Sequence, residues 1–176
     1  MRADCPNNII LIGMPGAGKS SVGVLLAKRL GYHFVDTDLL IQVAAQQRLQ
    51  EIIAGQGLAA FMVLETRAVC QLAPQHTVVA TGGSVVYSDA AMTHLQQIGR
   101  LVYLDLPLAI LQRRVWNLDS RGLVIDPDES FADLYARRTP LYRHYAELTI
   151  PCEGLAPEAI AAAIEQALCG TTPALA

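Results

Sequence analysis

Short apolar runs alternate with amphipathic stretches along almost the whole chain. The first run, Asn8–Ile12, enters a glycine-rich turn, and apolar residues then recur at helical spacing from Val22 until Gly31 ends the helix. Further short runs predict strands at 32–36, 77–80, 100–104 and 148–150. This alternation predicts an α/β fold, in which a five-stranded parallel sheet is covered by helices on both faces and binds its ligands at the carboxyl ends of the strands.

Helical periodicity, capping residues and helix breakers place the later helices. These predicted helices span 39–54 with a break near Arg48, 58–72, 89–98, 107–116 and 157–169. Asp89 is predicted to cap the helix over 89–98, and Ser130 to cap one further helix. The stretch 117–129 is polar and contains glycine, proline and four acidic residues, so we expect a mobile loop that is long enough to act as a lid.

The composition is that of one globular domain. Because 52% of the 176 residues are hydrophobic and 16% are charged, we expect one domain over 1–176 with one buried core. The net charge of −3 argues against a polyanion-binding face, and therefore against nucleic acid as a partner. No apolar run has the length of a signal-peptide core or a membrane span, so we expect a cytoplasmic protein that does not bind membranes. We also expect a monomer.

The cysteines show no pattern typical of a metal site or a redox motif. The four cysteines are Cys5, Cys70, Cys152 and Cys169, and none stands in C-x-x-C or in cysteine–histidine ligand spacing. A cytoplasmic location favours thiols over disulfides. We therefore expect all four to be reduced, structural thiols.

The strongest chemical motif lies between the first strand and the first helix. Residues 13–20 read Gly-Met-Pro-Gly-Ala-Gly-Lys-Ser and fit the phosphate-binding loop G-x-x-x-x-G-K-[ST] in its required context. Backbone amides and the helix N-terminus would bind the phosphates of ATP, Lys19 would bridge the β- and γ-phosphates, and Ser20 would ligate Mg²⁺. An ordinary tight turn is the alternative. The predicted nucleotide-binding residues here are Gly13, Gly16, Ala17, Gly18, Lys19, Ser20 and Ser21.

Two carboxylates follow the second strand, in the sequence Asp36-Thr37-Asp38. The carboxyl ends of parallel strands share one edge of the sheet, so both should lie close to the phosphate-binding loop. We assign Asp36 to the Mg²⁺ shell, through water, and Asp38 to the acceptor hydroxyl, which it would orient and deprotonate. The alternative is that Asp38 only caps the next helix.

Five motifs in this order resemble the shikimate kinases. They are the phosphate-binding loop, Asp-Thr-Asp at 36–38, Ala-Thr-Gly-Gly-Ser at 80–84, Arg121 in the lid stretch, and Arg-Thr-Pro-Leu-Tyr at 138–142. The resemblance runs from Ile9 to about Cys169. It implies a P-loop kinase fold with a mobile lid, an acceptor-binding helical region at about 39–73, and an ATP- and Mg²⁺-dependent kinase of amino-acid biosynthesis that phosphorylates a small hydroxy acid.

The resemblance also implies roles for individual residues. Arg138 would bind the carboxylate of the acceptor, and Gly82 and Gly83 would line the acceptor pocket. Arg121 would reach the phosphates when the lid closes, which makes it a catalytic residue with Lys19 and Asp38. Arg114 resembles the family position that stacks on adenine.

The departures from the family pattern lie on the acceptor side. Met62 stands where the family has a second carboxylate-binding arginine, and the loss of one charge-assisted bond of about 1.5–3 kcal/mol would weaken binding of a monoanion. Arg67 is poorly placed as a substitute, being about 140° away from Met62 around the helix. Ser84 replaces the third glycine, and no proline follows Arg121.

Three functions therefore stay open at the level of the sequence. The first is phosphorylation of shikimate with a reduced carboxylate clamp. The second is phosphorylation of another acceptor such as homoserine, whose ammonium group would meet Glu65. The third is a nucleotide-binding regulatory protein without transfer activity, against which the retention of Lys19, Asp38 and Arg121 argues.

Overall fold

The computed structural model describes residues 5–116 and 129–170, and these form one five-stranded sheet. All strand pairs are parallel, and the strand order is β2-β3-β1-β4-β5. The strands are β1 (Asn8–Ile12), β2 (His33–Asp36), β3 (Thr77–Ala80), β4 (Arg100–Asp105) and β5 (Leu148–Pro151). The predicted five-stranded parallel sheet is confirmed.

The central strand explains why the sheet forms in this order. Residues 9–12 are fully buried, as expected for a strand covered on both faces, and Leu11 pairs with Ala80 on one side and Val102 on the other. Asp36 pairs in register with Ala80 on the outer neighbour. The carboxyl ends of β1, β2 and β3 therefore lie side by side and place their following loops at one edge.

Helices connect the strands in the predicted alternation. They are α1 (Lys19–Leu30), α2 (Thr37–Ala45), α3 (Leu49–Cys70), α4 (Asp89–Ile98), α5 (Leu108–Trp116), α6 (Phe131–Tyr145) and α7 (Pro157–Cys169), with a short 3₁₀ turn at Val85–Tyr87. Gly18 and Gly31, at the two ends of α1, adopt the left-handed conformation that glycine tolerates. The lid predicted over 117–129 lies outside the described residues except for Glu129.

Two helix caps differ from the sequence expectation. The Asp36 carboxylate, at the end of β2, accepts a 3.0 Å hydrogen bond from the Asp38 amide, so α2 begins at Thr37 and its cap is Asp36. The alternative reading of Asp38 as the cap is therefore wrong. In the same way Ser88 caps α4 by accepting from the Ala91 amide at 3.2 Å, and Asp89 is the first helical residue rather than the cap.

Helix α3 is interrupted where the sequence placed the gap between two helices. Gly57 has φ 84° and ψ 165°, which breaks the helical backbone within Leu49–Cys70. By length and composition alone this segment is apolar enough to cross a membrane, with a mean hydropathy of 1.3, which corrects the expectation that no run approaches a span. The break at Gly57 divides it into pieces shorter than the ~20 residues that a span needs.

A small separate core holds α2 and α3 together. Ile41 of α2 packs with Ile52 and Phe61 of α3, and all three side chains are buried. The large core on the sheet does not include them. This arrangement presents the inner face of both helices to the carboxyl edge of the sheet.

The described structure joins Cys5 to Cys169 by a disulfide bond, which corrects the expectation of four free thiols. The bond ties the segment before β1 to the end of α7, across 164 residues of sequence. No local spacing could signal it, because the two cysteines meet only after the chain has folded. Cys70 is a free exposed thiol and Cys152 a free buried one.

Candidate active site

The phosphate-binding loop folds tightly between β1 and α1. The Ala17 amide donates to the Met14 carbonyl at 3.1 Å, and Gly16 has φ +80°, where a Cβ would come 3.0 Å from a Val115 methyl carbon. A side chain at Gly16 would therefore be strained and crowded. The Lys19 ammonium group donates to the carbonyl oxygens of Gly13 at 2.8 Å and of Met14 at 3.0 Å, which places it over the loop.

One cleft of about 870 Å³ lies along this edge of the sheet and contains most of the predicted site. Its walls come from the phosphate-binding loop, the end of β2, the turn after β3, and helices α2, α3, α5 and α6. The predicted residues that line it are Gly16, Gly18, Lys19, Ser20, Ser21, Asp36, Asp38, Gly82, Gly83, Arg114 and Arg138. Gly13 and Ala17 belong to the same loop but do not line the cleft. Arg121 lies outside the described residues, and its role stays a prediction.

The two predicted metal-binding residues are in direct contact. The Ser20 hydroxyl donates to the Asp36 carboxylate at 2.6 Å. The other Asp36 oxygen is engaged by the Asp38 amide, which fixes the direction of the carboxylate. This is a pair of hard oxygen donors beside the phosphate-binding loop, the chemistry that Mg²⁺ prefers. No cluster of three or more His, Cys, Asp or Glu side chains that could hold a metal occurs in the described part of the chain.

Asp38 is a carboxylate with a raised pKa in the middle of the cleft. Burial raises its pKa from 3.8 to about 6, the nearby Asp36 carboxylate adds to the rise, and the Lys19 ammonium group opposes it. Burial is also the largest influence on Lys19: it lowers the pKa from 10.5 to about 8, although the carboxylates of Asp38 and Asp36 act to raise it. Lys19 and Asp38 therefore shift each other's pKa, and Asp36 acts on both.

Gly82 lies where the buried carboxylate of Glu65 and the half-buried carboxylate of Asp38 converge. A Cβ at this position would come within 2.1 Å of Glu65 Oε1 and 2.8 Å of Asp38 Oδ1. Its amide donates to the Thr37 hydroxyl at 3.1 Å, which anchors the turn after β3 to the start of α2. Any side chain here would displace both carboxylates, so the glycine at 82 is required by space.

Glu65 and Ser84 form a buried pair that sequence reasoning described only in part. Each side chain is 2% exposed, and the Ser84 hydroxyl donates to Glu65 Oε2 at 2.5 Å. Burial raises the pKa of Glu65 from 4.5 to about 7, while the bond from Ser84 lowers it and Asp38 raises it. Within the described structure Glu65 Oε1 has no hydrogen-bond partner. The serine that replaces the third glycine thus orients a carboxylate toward the acceptor side of the cleft.

Arg138 is almost completely buried, with 1% of its surface exposed, although it carries a charge. Its Nε donates to the Tyr87 hydroxyl at 3.1 Å, and its Nη1 would lie 3.0 Å from a Cβ on Gly83. Tyr142 ties the same turn to α6, since its hydroxyl donates to the Gly83 carbonyl at 2.6 Å. Sequence reasoning located Arg138 and missed Tyr87, because a lone tyrosine two residues after Val85 carries no motif.

The remaining acceptor-side predictions have mixed outcomes. Phe61 and Glu65 line the cleft on α3, whereas Met62 is half-buried and lies outside the cleft lining. Arg67 is exposed and also lies outside it, as its position around the helix predicted. On the nucleotide side, Arg114 donates to the Gly16 carbonyl at 3.2 Å and so lies against the phosphate-binding loop.

Comparison with known proteins decides the family. The family model of shikimate kinase matches residues 15–169, which is most of the chain. This chain belongs to the shikimate kinase family. Shikimate kinases are ATP-dependent kinases, and the fold described above is theirs.

Individual shikimate kinases match over most of their length. The enzyme of Thermodesulfovibrio yellowstonii is 38% identical over 157 residues, covering 88% of this chain and 90% of that protein. The enzyme of Thermosynechococcus vestitus is 41% identical over 138 residues, covering 77% and 75%. The solved structure of Acinetobacter baumannii shikimate kinase in complex with shikimate has a TM-score of 0.86 at 32% identity and covers 92% of both chains.

Proposed function

We propose that this member of the shikimate kinase family transfers the γ-phosphoryl group of ATP to a hydroxyl of shikimate. One observation carries the proposal: a single cleft is lined by the phosphate-binding loop, by the Asp38 carboxylate and by the buried Arg138. The fold of the solved relative that contains shikimate matches 92% of this chain, which supports the same kind of acceptor. The cleft therefore offers a binding site for the triphosphate of ATP, a base in Asp38, and a cation in Arg138 that could bind the carboxylate of the acceptor.

The phosphate-binding loop would hold the nucleotide. Its amides and the N-terminus of α1 favour anionic oxygens, and the Lys19 ammonium group would exchange the carbonyls of Gly13 and Met14 for phosphate oxygens. Negative charge arriving beside Lys19 also offsets the effect of burial on its pKa. Arg114, against Gly16, would stack on the adenine.

Ser20 and Asp36 would hold Mg²⁺, directly or through water. The contact between the Ser20 hydroxyl and the Asp36 carboxylate supports this assignment, since it places two hard oxygen donors beside the phosphate-binding loop. When bound, the metal would neutralise negative charge on the phosphates.

On the acceptor side, Asp38 would orient the reacting hydroxyl and accept its proton. The hydroxyl oxygen forms the new bond to the γ-phosphorus, the bond from that phosphorus to the bridging oxygen breaks, and ADP leaves. Arg138 would bind the acceptor carboxylate, and Gly82 and Gly83 leave room for its ring. Arg121 would add positive charge at the transferring group, on the strength of the sequence motif alone.

A coupled assay of ADP release with shikimate and homoserine in parallel tests the acceptor. We expect turnover on shikimate with a KM in the ordinary range of roughly 1 µM to 1 mM, and none above background on homoserine. Turnover on homoserine alone would overturn the acceptor assignment. Glu65 would then be the residue that binds the ammonium group of homoserine. If neither acceptor is used while ATP still binds, the reading as a nucleotide-binding regulatory protein prevails.

We also infer that the enzyme acts as a monomer in the cytoplasm, where ATP is available, although the disulfide of Cys5 with Cys169 is a kind of bond that is uncommon in that compartment. Light scattering on the purified protein and fractionation of cells that express the tagged chain test these two points separately. A dimer mass or a membrane-bound fraction would contradict them.

A further inference from the structure

The position of Arg138 depends on a side chain that no motif marks. A buried arginine has a long side chain with several rotatable bonds, so something must hold its guanidinium in one direction. The Tyr87 hydroxyl accepts from Arg138 Nε at 3.1 Å, and the Arg138 Cζ atom lies 5.0 Å from the centre of the Tyr87 ring. Tyr87 therefore contacts this guanidinium through both its hydroxyl and its ring.

The same hydroxyl also serves a second arginine. Arg137 Nε donates to Tyr87 Oη at 2.9 Å, with Cζ 5.3 Å from the ring centre, and Arg137 Nη2 forms an ion pair with Glu129 at 2.5 Å. One phenol oxygen thus lies between two guanidinium groups. The ion pair with Glu129 holds Arg137 in place, and Arg137 in turn holds the oxygen that Arg138 shares.

Tyr87 is itself tied to the floor of the acceptor pocket. It ends the 3₁₀ turn that follows the cleft-lining residues Gly82, Gly83 and Ser84, and its amide donates to the Ser84 carbonyl at 3.0 Å. Movement of the pocket floor therefore moves the hydroxyl that holds Arg138.

We propose that Tyr87 is a positioning residue for the acceptor: its hydroxyl holds the Nε edge of Arg138, so that the Nη groups are aimed at Gly83 and at the carboxylate of the acceptor. The inference rests on the proposed function of Arg138. It concerns acceptor binding alone, because Tyr87 contacts none of the described residues of the phosphate-binding loop or the Asp38 carboxylate through a hydrogen bond.

Tyr87→Phe is the direct test, since it keeps the ring and removes the hydroxyl. Tyr87→Phe acts on the acceptor only through Arg138, so the loss of one hydrogen bond of ordinary net strength predicts a rise of roughly three- to tenfold in KM for shikimate, with kcat and KM for ATP changed by less than about twofold. Tyr145→Phe is the matched control. It also removes a phenol hydroxyl, which donates to Asp89 at 2.9 Å, outside the cleft, and should leave all three constants unchanged.

A double-mutant cycle separates positioning from a general structural effect. In an Arg138→Met background, Tyr87→Phe should produce no further rise in KM for shikimate, because the group that it positions is gone. Arg138→Lys, which has no Nε edge, replaces Arg138→Met if the latter does not fold. A full, additive effect of Tyr87→Phe in either background would overturn the inference.

The outcomes distinguish this inference from the function on which it rests. If Arg138→Met leaves KM for shikimate unchanged, the assignment of Arg138 to the carboxylate fails. If Arg138→Met raises KM while Tyr87→Phe behaves like Tyr145→Phe, the assignment stands and the positioning by Tyr87 is rejected.

Discussion

At the scale of single residues, the cleft contains two carboxylates whose pKa values are raised by the same cause. Burial moves the pKa of Asp38 to about 6 and that of Glu65 to about 7, and the two face each other across Gly82. Their surroundings nevertheless differ. Asp38 has the ammonium group of Lys19 beside it, whereas Glu65 accepts a hydrogen bond from the Ser84 hydroxyl. These differences give separate predictions for activity and for stability.

Asp38 determines the acid limb of the activity profile. A base acts in its ionised form, so kcat/KM should fall as the pH decreases through about 6, the pKa of Asp38. Asp38→Asn should lower kcat by roughly 10²- to 10⁴-fold, the typical contribution of a general base. The measurements are pH–rate profiles of both proteins, with calorimetry to check that ATP still binds to the variant. A variant with kcat within tenfold of the parent would show that Asp38 is not the base.

Glu65 should make the fold less stable as the pH rises. Its folded-state pKa of about 7 exceeds the ordinary 4.5, so the folded protein binds more protons than the unfolded chain between these values. The free energy of unfolding therefore decreases from pH 4.5 to 7, by roughly 3 kcal/mol at most from this residue. Glu65→Gln removes this contribution, and denaturant unfolding at pH 5 and pH 8 measures it. The variant and parent should differ clearly in their pH dependence, and parallel curves would contradict the prediction.

At the scale of secondary-structure elements, α3 carries Met62 at the position where the family resemblance predicts a carboxylate-binding arginine. The half-helix after Gly57 contributes Phe61 and Glu65 to the cleft, with Met62 adjacent to them and Val63 67% exposed on the outer side. Helix α3 is in place, and the arginine that the family resemblance predicts at position 62 is a methionine in this chain. An arginine at position 62 is longer than the methionine and could reach the cleft beside it. Placing one there tests whether a single missing charge limits acceptor binding.

Met62→Arg should lower KM for shikimate by about tenfold, the effect of one charge-assisted bond of roughly 1.5 kcal/mol. Val63→Arg adds the same charge to the exposed side of the same helix and serves as the control for long-range electrostatics. Steady-state kinetics with ATP in excess measures both. An equal improvement in both variants, or none in Met62→Arg, would mean that the missing cation does not explain how this enzyme binds its acceptor.

The elements also show where local sequence signals are sufficient. Gly31 ended α1 as predicted and the break near Arg48 separates α2 from α3, because such signals act on the backbone of their own turn. The start of α2 was not decided in this way. Asp36 and Asp38 are the same residue type two positions apart, and only the direction in which the chain leaves β2 selects Asp36 as the cap.

At the scale of the whole molecule, the two ends of the described chain are fastened to each other. The disulfide of Cys5 with Cys169 is accompanied by an ion pair between Arg29 of α1 and Glu165 of α7, with 2.6 Å between Arg29 Nη2 and Glu165 Oε2. Both contacts hold α7 and the chain ends on the side of α1, and none of the four residues lines the cleft. The disulfide should therefore affect stability and leave catalysis unchanged.

A reductant should lower the free energy of unfolding of the parent protein by about 2–5 kcal/mol, as expected for a disulfide that closes a long loop. Cys5→Ser should show the same loss without the reductant and no further loss with it, whereas Cys70→Ser, at a free exposed thiol, should behave like the parent. Chemical denaturation with and without dithiothreitol measures this. Four titratable thiols in the unfolded, unreduced protein would refute the bond.

Arg138 was singled out by the resemblance to a known family. The sequence by itself determined the order of strands and helices, the phosphate-binding loop and the aspartate pair. These features are encoded by residues close together in the chain, where periodicity and motif spacing act directly. Only the tertiary structure decided that Ser84 would bind Glu65, that Tyr87 would hold Arg138, and that Cys5 would reach Cys169. Each of these contacts joins residues that are 19 to 164 positions apart. Such contacts depend on how the helices and loops pack on the sheet, and no spacing along the chain specifies that packing.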